Sequence, residues 1–169
     1  TPLFKSNAYL TVSGQLYGEA MCQGLGNIYT FGPTFRAEKS HTSRHLAEFW
    51  MIEPEMAFAD LNDAISSLRA FFQEIGTFTL GHASELETLS SFFHEGGRTQ
   101  ALDQLEAFVS KEIQEVSYRE ALDIVNREMN CSHAFGYDFQ RKEEKFLCEY
   151  VGGALFVRDF PASMKPFYM

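Results

Sequence analysis

Residues 29–58, YTFGPTFRAEKSHTSRHLAEFWMIEPEMAF, decide the fold. Two runs rich in β-branched and aromatic residues flank a polar, basic loop. The first runs from Ile28 to Arg36 and the second from Glu48 to Phe58, each bounded by turn residues as a strand is. In the second, Phe49, Met51, Glu53 and Glu55 alternate with Trp50, Ile52 and Met56, the period of a strand with two unlike faces. The loop between them, Lys39 to Leu46, carries Lys39, His41, Arg44 and His45. The whole reads as a hairpin with Arg36 and Glu38 at its base. Several cations lifted on a polar loop suit an anionic ligand such as a nucleotide. A solvated surface hairpin fits the composition equally well.

Upstream, Ala8 to Val12 reads as a short strand, and Ser13 as the cap of a helix over Gln15 to Leu25. Leu16, Ala20 and Gly24 share one face beside Tyr17, Met21 and Leu25, so most of this helix is expected to fill the core. Gly24 and Gly26 supply its stop signal. Its polar first turn, Ser13, Gln15 and Glu19, lies where free N–H groups and positive potential meet. Such residues line a ligand site or merely cap the helix, and spacing alone does not separate the two.

Downstream, Asp60 is placed to cap a helix carrying Leu61, Ile65, Leu68, Phe72 and Ile75 at helical period. A break is expected from Gly76 to Gly81. Two helical stretches follow, one with Leu86, Leu89 and Phe93, the other with Leu102, Leu105, Val109 and Ile113, separated at Gly96-Gly97. Ser117 and Glu120 have capping-box spacing before a helix bearing Leu122, Val125 and Met129. Asp138 is expected to start a helix with Phe146, Leu147 and Tyr150. Gly152-Gly153 ends it, ahead of a buried strand from Ala154 to Phe160.

Composition narrows the function. The 169 residues, 45% hydrophobic with 17 Phe, suffice for one domain with a core and exclude a disordered chain. A formal net charge of −9 opposes non-specific binding to nucleic acid or an acidic membrane, while leaving room for a local basic site. No apolar run is long enough to span a bilayer, and the first residues form neither a signal nor a transit peptide. The three cysteines, Cys22, Cys131 and Cys148, lack paired spacing, so the expected setting is reduced and cytosolic. Cys131 and His133 make at most half a metal site, because no second ligand pair has zinc spacing. The glycines at 24, 26, 152 and 153 match neither a Walker loop nor a dinucleotide fingerprint.

Phe35-Arg36-Ala37-Glu38, the loop from Ser40 to Leu46, and Glu48-Phe49 resemble the second signature motif of class II aminoacyl-tRNA synthetases, in its asparaginyl/aspartyl branch. Ser117-Tyr118 with Glu120-Ala121, the run Gly136 to Gln140 with Glu144, and Phe160-Pro161 through Lys165 to Met169 are similar to the same branch. The resemblance covers nearly the whole chain and is weakest from Gly76 to Glu115. It implies an α+β fold: part of the antiparallel class II sheet flanked by helices. Residues 1–169 would be a partial catalytic domain with a helical insertion over about 76–115.

The resemblance also implies an enzyme, an aminoacyl-tRNA ligase of the cytoplasm and a homodimer when complete. It would activate asparagine with ATP to the adenylate and transfer it to tRNA(Asn) in protein synthesis. Arg36 holds the place of the catalytic arginine that bridges the α-phosphate of ATP and the carboxylate of the amino acid. A planar guanidinium can grip both. Glu38 would hold the adenine amino side. Arg44 and His45 would contact the γ-phosphate end, Leu46 belongs to the same ATP-binding loop, and Phe49 would stack on the adenine. Ser13, Gln15, Glu19 and Arg36 would bind the amino acid. Where aspartyl enzymes carry a Lys three residues after the matching Gln, this chain has Gly18, followed by Glu19. Removing a cation and supplying a carboxylate favours an amide over a second carboxylate. Mg²⁺ would be required with ATP, and no metal ligand is assigned within this chain.

This chain departs from the family's pattern in several places. The first motif would precede Thr1, and the third motif and the anticodon-binding barrel would lie outside the chain. Lys142 stands where an acidic residue is usual. The expectation is therefore an internal fragment. An aspartyl enzyme, an asparagine synthetase-like paralogue and a non-catalytic nucleotide-binding module are the alternatives.

Overall fold

The computed structural model describes residues 7–37, 45–93 and 98–167. It has α+β character, and the chain divides into two compact units, Thr1–Ala64 and Ile65–Met169. In the first unit, β1 (Ile28–Phe35) pairs antiparallel with β2 (Glu48–Glu55), with Phe35 opposite Glu48 and Ile28 opposite Glu55. The expected hairpin is thus present. Strand alternation puts Ile28, Thr30, Gly32 and Thr34 on one face with Phe49, Met51, Glu53 and Glu55. Helix α1 (Gln15–Leu25) lies against this hairpin. The other face leaves Tyr29, Phe31, Trp50 and Ile52 exposed, with Phe31 edge-on to Trp50 at 5.1 Å between ring centroids.

Three expectations for this unit need correction. Residues 8–12 form no strand, although the Thr11 carbonyl accepts the Phe35 N–H at 2.8 Å. Nor does α1 fill a core with its large residues, since Leu16 is 79% exposed and Leu25 72%. Its buried positions are Gly18 and Cys22, small residues four apart that let the helix lie close to the strands. The large side chains consequently point away from the contact. The cap also shifts by one: Gly14 is the cap residue, while Ser13 Oγ accepts the N–H of Gln15 at 3.0 Å.

Helix α2 (Leu61–Leu80) begins as predicted, with Asp60 Oδ1 accepting the N–H groups of Asn62 and Asp63. It does not break at Gly76. A Cβ there would stand 2.5 Å from Val109 Cγ2, so glycine permits close approach of α2 to α4 (Arg98–Ser110) rather than ending the helix. Phe72 and Phe108 meet edge-on in the same contact. Helix α3 (Ala83–Phe93) precedes α4, and Gly96-Gly97 lies outside the described residues.

The remainder is a small layered core. β3 (Gln114–Ser117) runs parallel to β4 (Leu155–Arg158), with α5 (Tyr118–Glu128) and α6 (Arg141–Val151) in the crossover that parallel strands require. Tyr118, Ala121, Leu122 and Val125 are buried at i, i+3, i+4 and i+7 of α5. Ala121, Val125 and Leu147 form the fully enclosed centre, ringed by Val116, Ile124, Phe139, Phe146, Leu155 and Val157. The Ser117–Glu120 capping box is formed. α6 starts at Arg141 behind the cap residue Gln140, not at Asp138, because Glu143 closes a capping box with Gln140. The last strand is half-buried and shorter than expected. A final 3₁₀ turn covers Ala162–Met164.

Candidate functional site

The inward face of the hairpin gathers the polar groups of the first unit. At its centre stands Glu53, a carboxylate on a strand face that otherwise packs against α1. Oε1 accepts the Ser13 hydroxyl at 2.5 Å. Oε2 accepts the Gly14 N–H at 2.8 Å and the Thr30 hydroxyl at 3.3 Å. Burial alone would raise its pKa. The bonds from Ser13, Gly14 and Thr30, with the field of Arg36, outweigh burial and hold it below the usual carboxylate range.

Arg36 follows directly on β1, where its N–H donates to the Ala47 carbonyl at 3.0 Å. Its guanidinium carbon lies 5.3 Å from the centre of the Phe49 ring, a cation–π arrangement. Nε donates to the Val12 carbonyl at 3.4 Å, and Nη2 lies 3.8 Å from the Met51 sulfur. The arginine is held along the face while remaining exposed.

One helical turn along α1, Gln15 Nε2 donates to Glu19 Oε1 at 2.8 Å. Beneath them, a Cβ at Gly18 would stand 2.9 Å from Glu55 Cγ. Burial pushes the Glu55 carboxyl up, and the charges of Glu19 and Glu53 add to the rise. The face therefore has a cationic, aromatic end at Arg36 and Phe49 and an acidic end at Glu19, Glu53 and Glu55.

Of the residues singled out in the sequence, Ser13, Gln15, Glu19, Arg36 and Phe49 converge on this hairpin and helix start. His45 and Leu46 are exposed at the foot of the loop leading into β2. Glu38 and Arg44 lie outside the described residues. Sequence reasoning missed Glu53, Glu55, Thr30 and Met51 as site residues. A signal was present: the β2 alternation puts both glutamates on the same face as Phe49, where a carboxylate needs partners.

In the second unit, residues that carried the family likeness line a common recess of about 330 Å³. Asp138, Glu144 and Lys165 stand there around Phe139, Leu147 and Phe160. Lys165 Nζ lies 4.2 Å from the centre of the Phe160 ring.

The model of the family described as "tRNA synthetases class II (D, K and N)" matches residues 2–169. An asparagine–tRNA ligase of Rhodopirellula baltica is 42% identical over 172 residues, covering 98% of this chain and 34% of that protein. The asparagine–tRNA ligase of Hahella chejuensis is 43% identical over 173 residues, covering 98% and 36%. Among solved structures, the asparaginyl-tRNA synthetase of Pyrococcus horikoshii complexed with asparaginyl-adenylate superposes with a TM-score of 0.79 at 32% identity. That match covers 98% of this chain and 36% of the other. The chain thus spans about a third of the length of these relatives. With a family model matched from residue 2 to residue 169, the chain belongs to the class II tRNA synthetases of the D, K and N group.

Proposed function

We propose that this chain is part of the catalytic domain of an asparagine–tRNA ligase: the asparagine carboxylate attacks the α-phosphorus of ATP to form the adenylate with release of pyrophosphate, and a terminal hydroxyl of tRNA(Asn) then takes the asparaginyl group with release of AMP. The observation that carries the reading is the single polar face on which Arg36 and Phe49 lie at one end and Ser13, Glu53 and Glu55 at the other. The relatives' names and their identity over the whole chain support the same reading.

On this reading the ligand spans the face. Phe49 stacks on the adenine, and Arg36 takes one oxygen of the α-phosphate and one of the amino-acid carboxylate. Holding both reactants in line removes much of the entropic barrier, and the fixed guanidinium offsets charge that grows at phosphorus. Glu38, Arg44, His45 and Leu46 complete the ATP side. At the other end, Ser13 and Gln15 bind the backbone of the amino acid. The carboxylates of Glu19, Glu53 and Glu55 suit an α-ammonium and a side-chain amide, and they repel a second carboxylate. Gly18 leaves that end without a cation. No side-chain nucleophile is needed.

Magnesium is the ion the family implies. Among the described residues, no group of three or more His, Cys, Asp or Glu is placed to hold a metal. Both Glu53 oxygens already accept hydrogen bonds. These residues do not fit it, and in the proposed enzyme its ligands lie elsewhere. The homodimer, the cytoplasmic setting and the helical insertion over about 76–115 belong to the same proposal. No helix of the described residues is long and apolar enough to cross a membrane.

Charging of tRNA with labelled asparagine by the full-length protein tests the proposal. The expected result is charged tRNA that disappears in Arg36→Ala. Charging that persists unchanged in Arg36→Ala, or none with the unaltered protein, overturns it.

A further inference from the structure

Thr30 and Glu53 are directly opposed in the β1–β2 register and therefore share the inward face. Thr30 does two things there. Its hydroxyl donates to Glu53 Oε2 at 3.3 Å. Its side chain also occupies the space a Cβ on Gly14 would need, so the first turn of α1 lies flush on β1 only because residue 14 has no side chain. Gly14 has φ −85° and ψ −6°, a negative-φ conformation that does not itself call for glycine. Glycine is thus required at this place by proximity to Thr30, not by backbone conformation. The Gly14 N–H and the Ser13 hydroxyl in turn hold the two oxygens of Glu53. Thr30 thus touches both the helix start and the carboxylate that the helix start holds.

We propose that Thr30 is a positioning residue: its contact with Gly14 fixes the distance between the start of α1 and the hairpin, and its hydroxyl aims the Glu53 carboxylate at the amino-acid end of the site. The inference rests on the reading of that end as the asparagine subsite. Thr30 touches no substrate. It acts through Glu53, Ser13 and Gln15, so its loss alters the amino-acid KM and leaves the ATP end, built on Arg36 and Phe49, as it was.

The test is steady-state ATP–pyrophosphate exchange with the full-length protein and its variants, reading KM for asparagine and for ATP separately. Thr30→Val keeps the shape and removes the donor; the asparagine KM should rise about fivefold, the scale of one net hydrogen bond, with the ATP KM changed less than about twofold. Thr30→Ser, which keeps the hydroxyl, should restore most of the loss. Gly14→Ala should raise the asparagine KM through the steric route, and Gly14→Ala with Thr30→Gly should recover part of it, because the Thr30 Cβ, 2.8 Å from the added methyl, is removed with the rest of the side chain. An unchanged asparagine KM in Thr30→Val, equal rises in both KM values, or no recovery in the double variant overturns the proposal. Should Thr30→Val not fold, the Gly14→Ala pair decides alone. Failure of the unaltered protein to exchange with asparagine refutes the functional reading instead, which keeps the two failures apart.

Discussion

Ser13 donates its hydroxyl to Oε1 of Glu53 at 2.5 Å, joining the start of a helix to the middle of a strand forty residues away in sequence. With the Gly14 N–H at 2.8 Å on the other oxygen, one carboxylate ties the helix start to the hairpin. Removing its charge tests that tie. The folded state lowers the pKa of Glu53 below 4.5, so its stabilisation is full above the unfolded value and is lost as pH falls through the folded one. Glu53→Gln should cost about 1 kcal/mol at pH 7, given its partial exposure. The difference from the unaltered chain should shrink in thermal melts as pH falls below 4.5 and vanish once Glu53 is protonated in the folded state as well.

Glu55 should behave in the opposite sense. Its pKa is raised above 4.5, by burial and then by Glu19 and Glu53. Its contribution is therefore greatest below the unfolded value and is lost as pH rises through the folded one. Glu55→Gln should stabilise the protein at pH 7 and leave melts near pH 3 unchanged. On the functional reading it should also lower asparagine-dependent exchange about tenfold. A variant that is more stable but less active separates the two roles.

Arg36→Lys keeps the charge but loses the planar fork and the stack on Phe49. Exchange should fall by about two orders of magnitude, with little change in melting temperature, because the side chain is exposed. A circular-dichroism melt beside the kinetic assay separates the two.

The core of the second unit gives a prediction free of any functional assumption. Leu147 is 2% exposed within the Ala121–Val125 cluster, so Leu147→Ala should cost about 2–5 kcal/mol in urea unfolding. Gly76→Ala should destabilise by about 1 kcal/mol despite the better helix propensity of alanine, because its Cβ meets Val109. Gly76→Ala with Val109→Ala should recover that local loss.

Sequence made the hairpin readable because alternation and turn residues are local signals, and the same holds for the caps at Asp60 and Ser117. What it hid depended on long-range packing. Gly76 looks like a break until Val109 is beside it. The apolar positions of α1 look like core until Gly18 and Cys22 prove to be the contact face. The parallel pairing of β3 with β4 joins segments more than thirty residues apart, and no local pattern encodes it. At the site, Arg36 and Phe49 were legible from the motif. Glu53 and Glu55 were visible only as alternation, since their importance lies in partners supplied by α1 and β1.

On the proposed reading, this face activates asparagine. The most direct measurement is ATP–pyrophosphate exchange by the full-length protein with asparagine and with aspartate at equal concentrations. Asparagine should support exchange and aspartate should lag by at least about tenfold, since the acidic end repels a second carboxylate. Faster exchange with aspartate would rule out an asparagine-selective site.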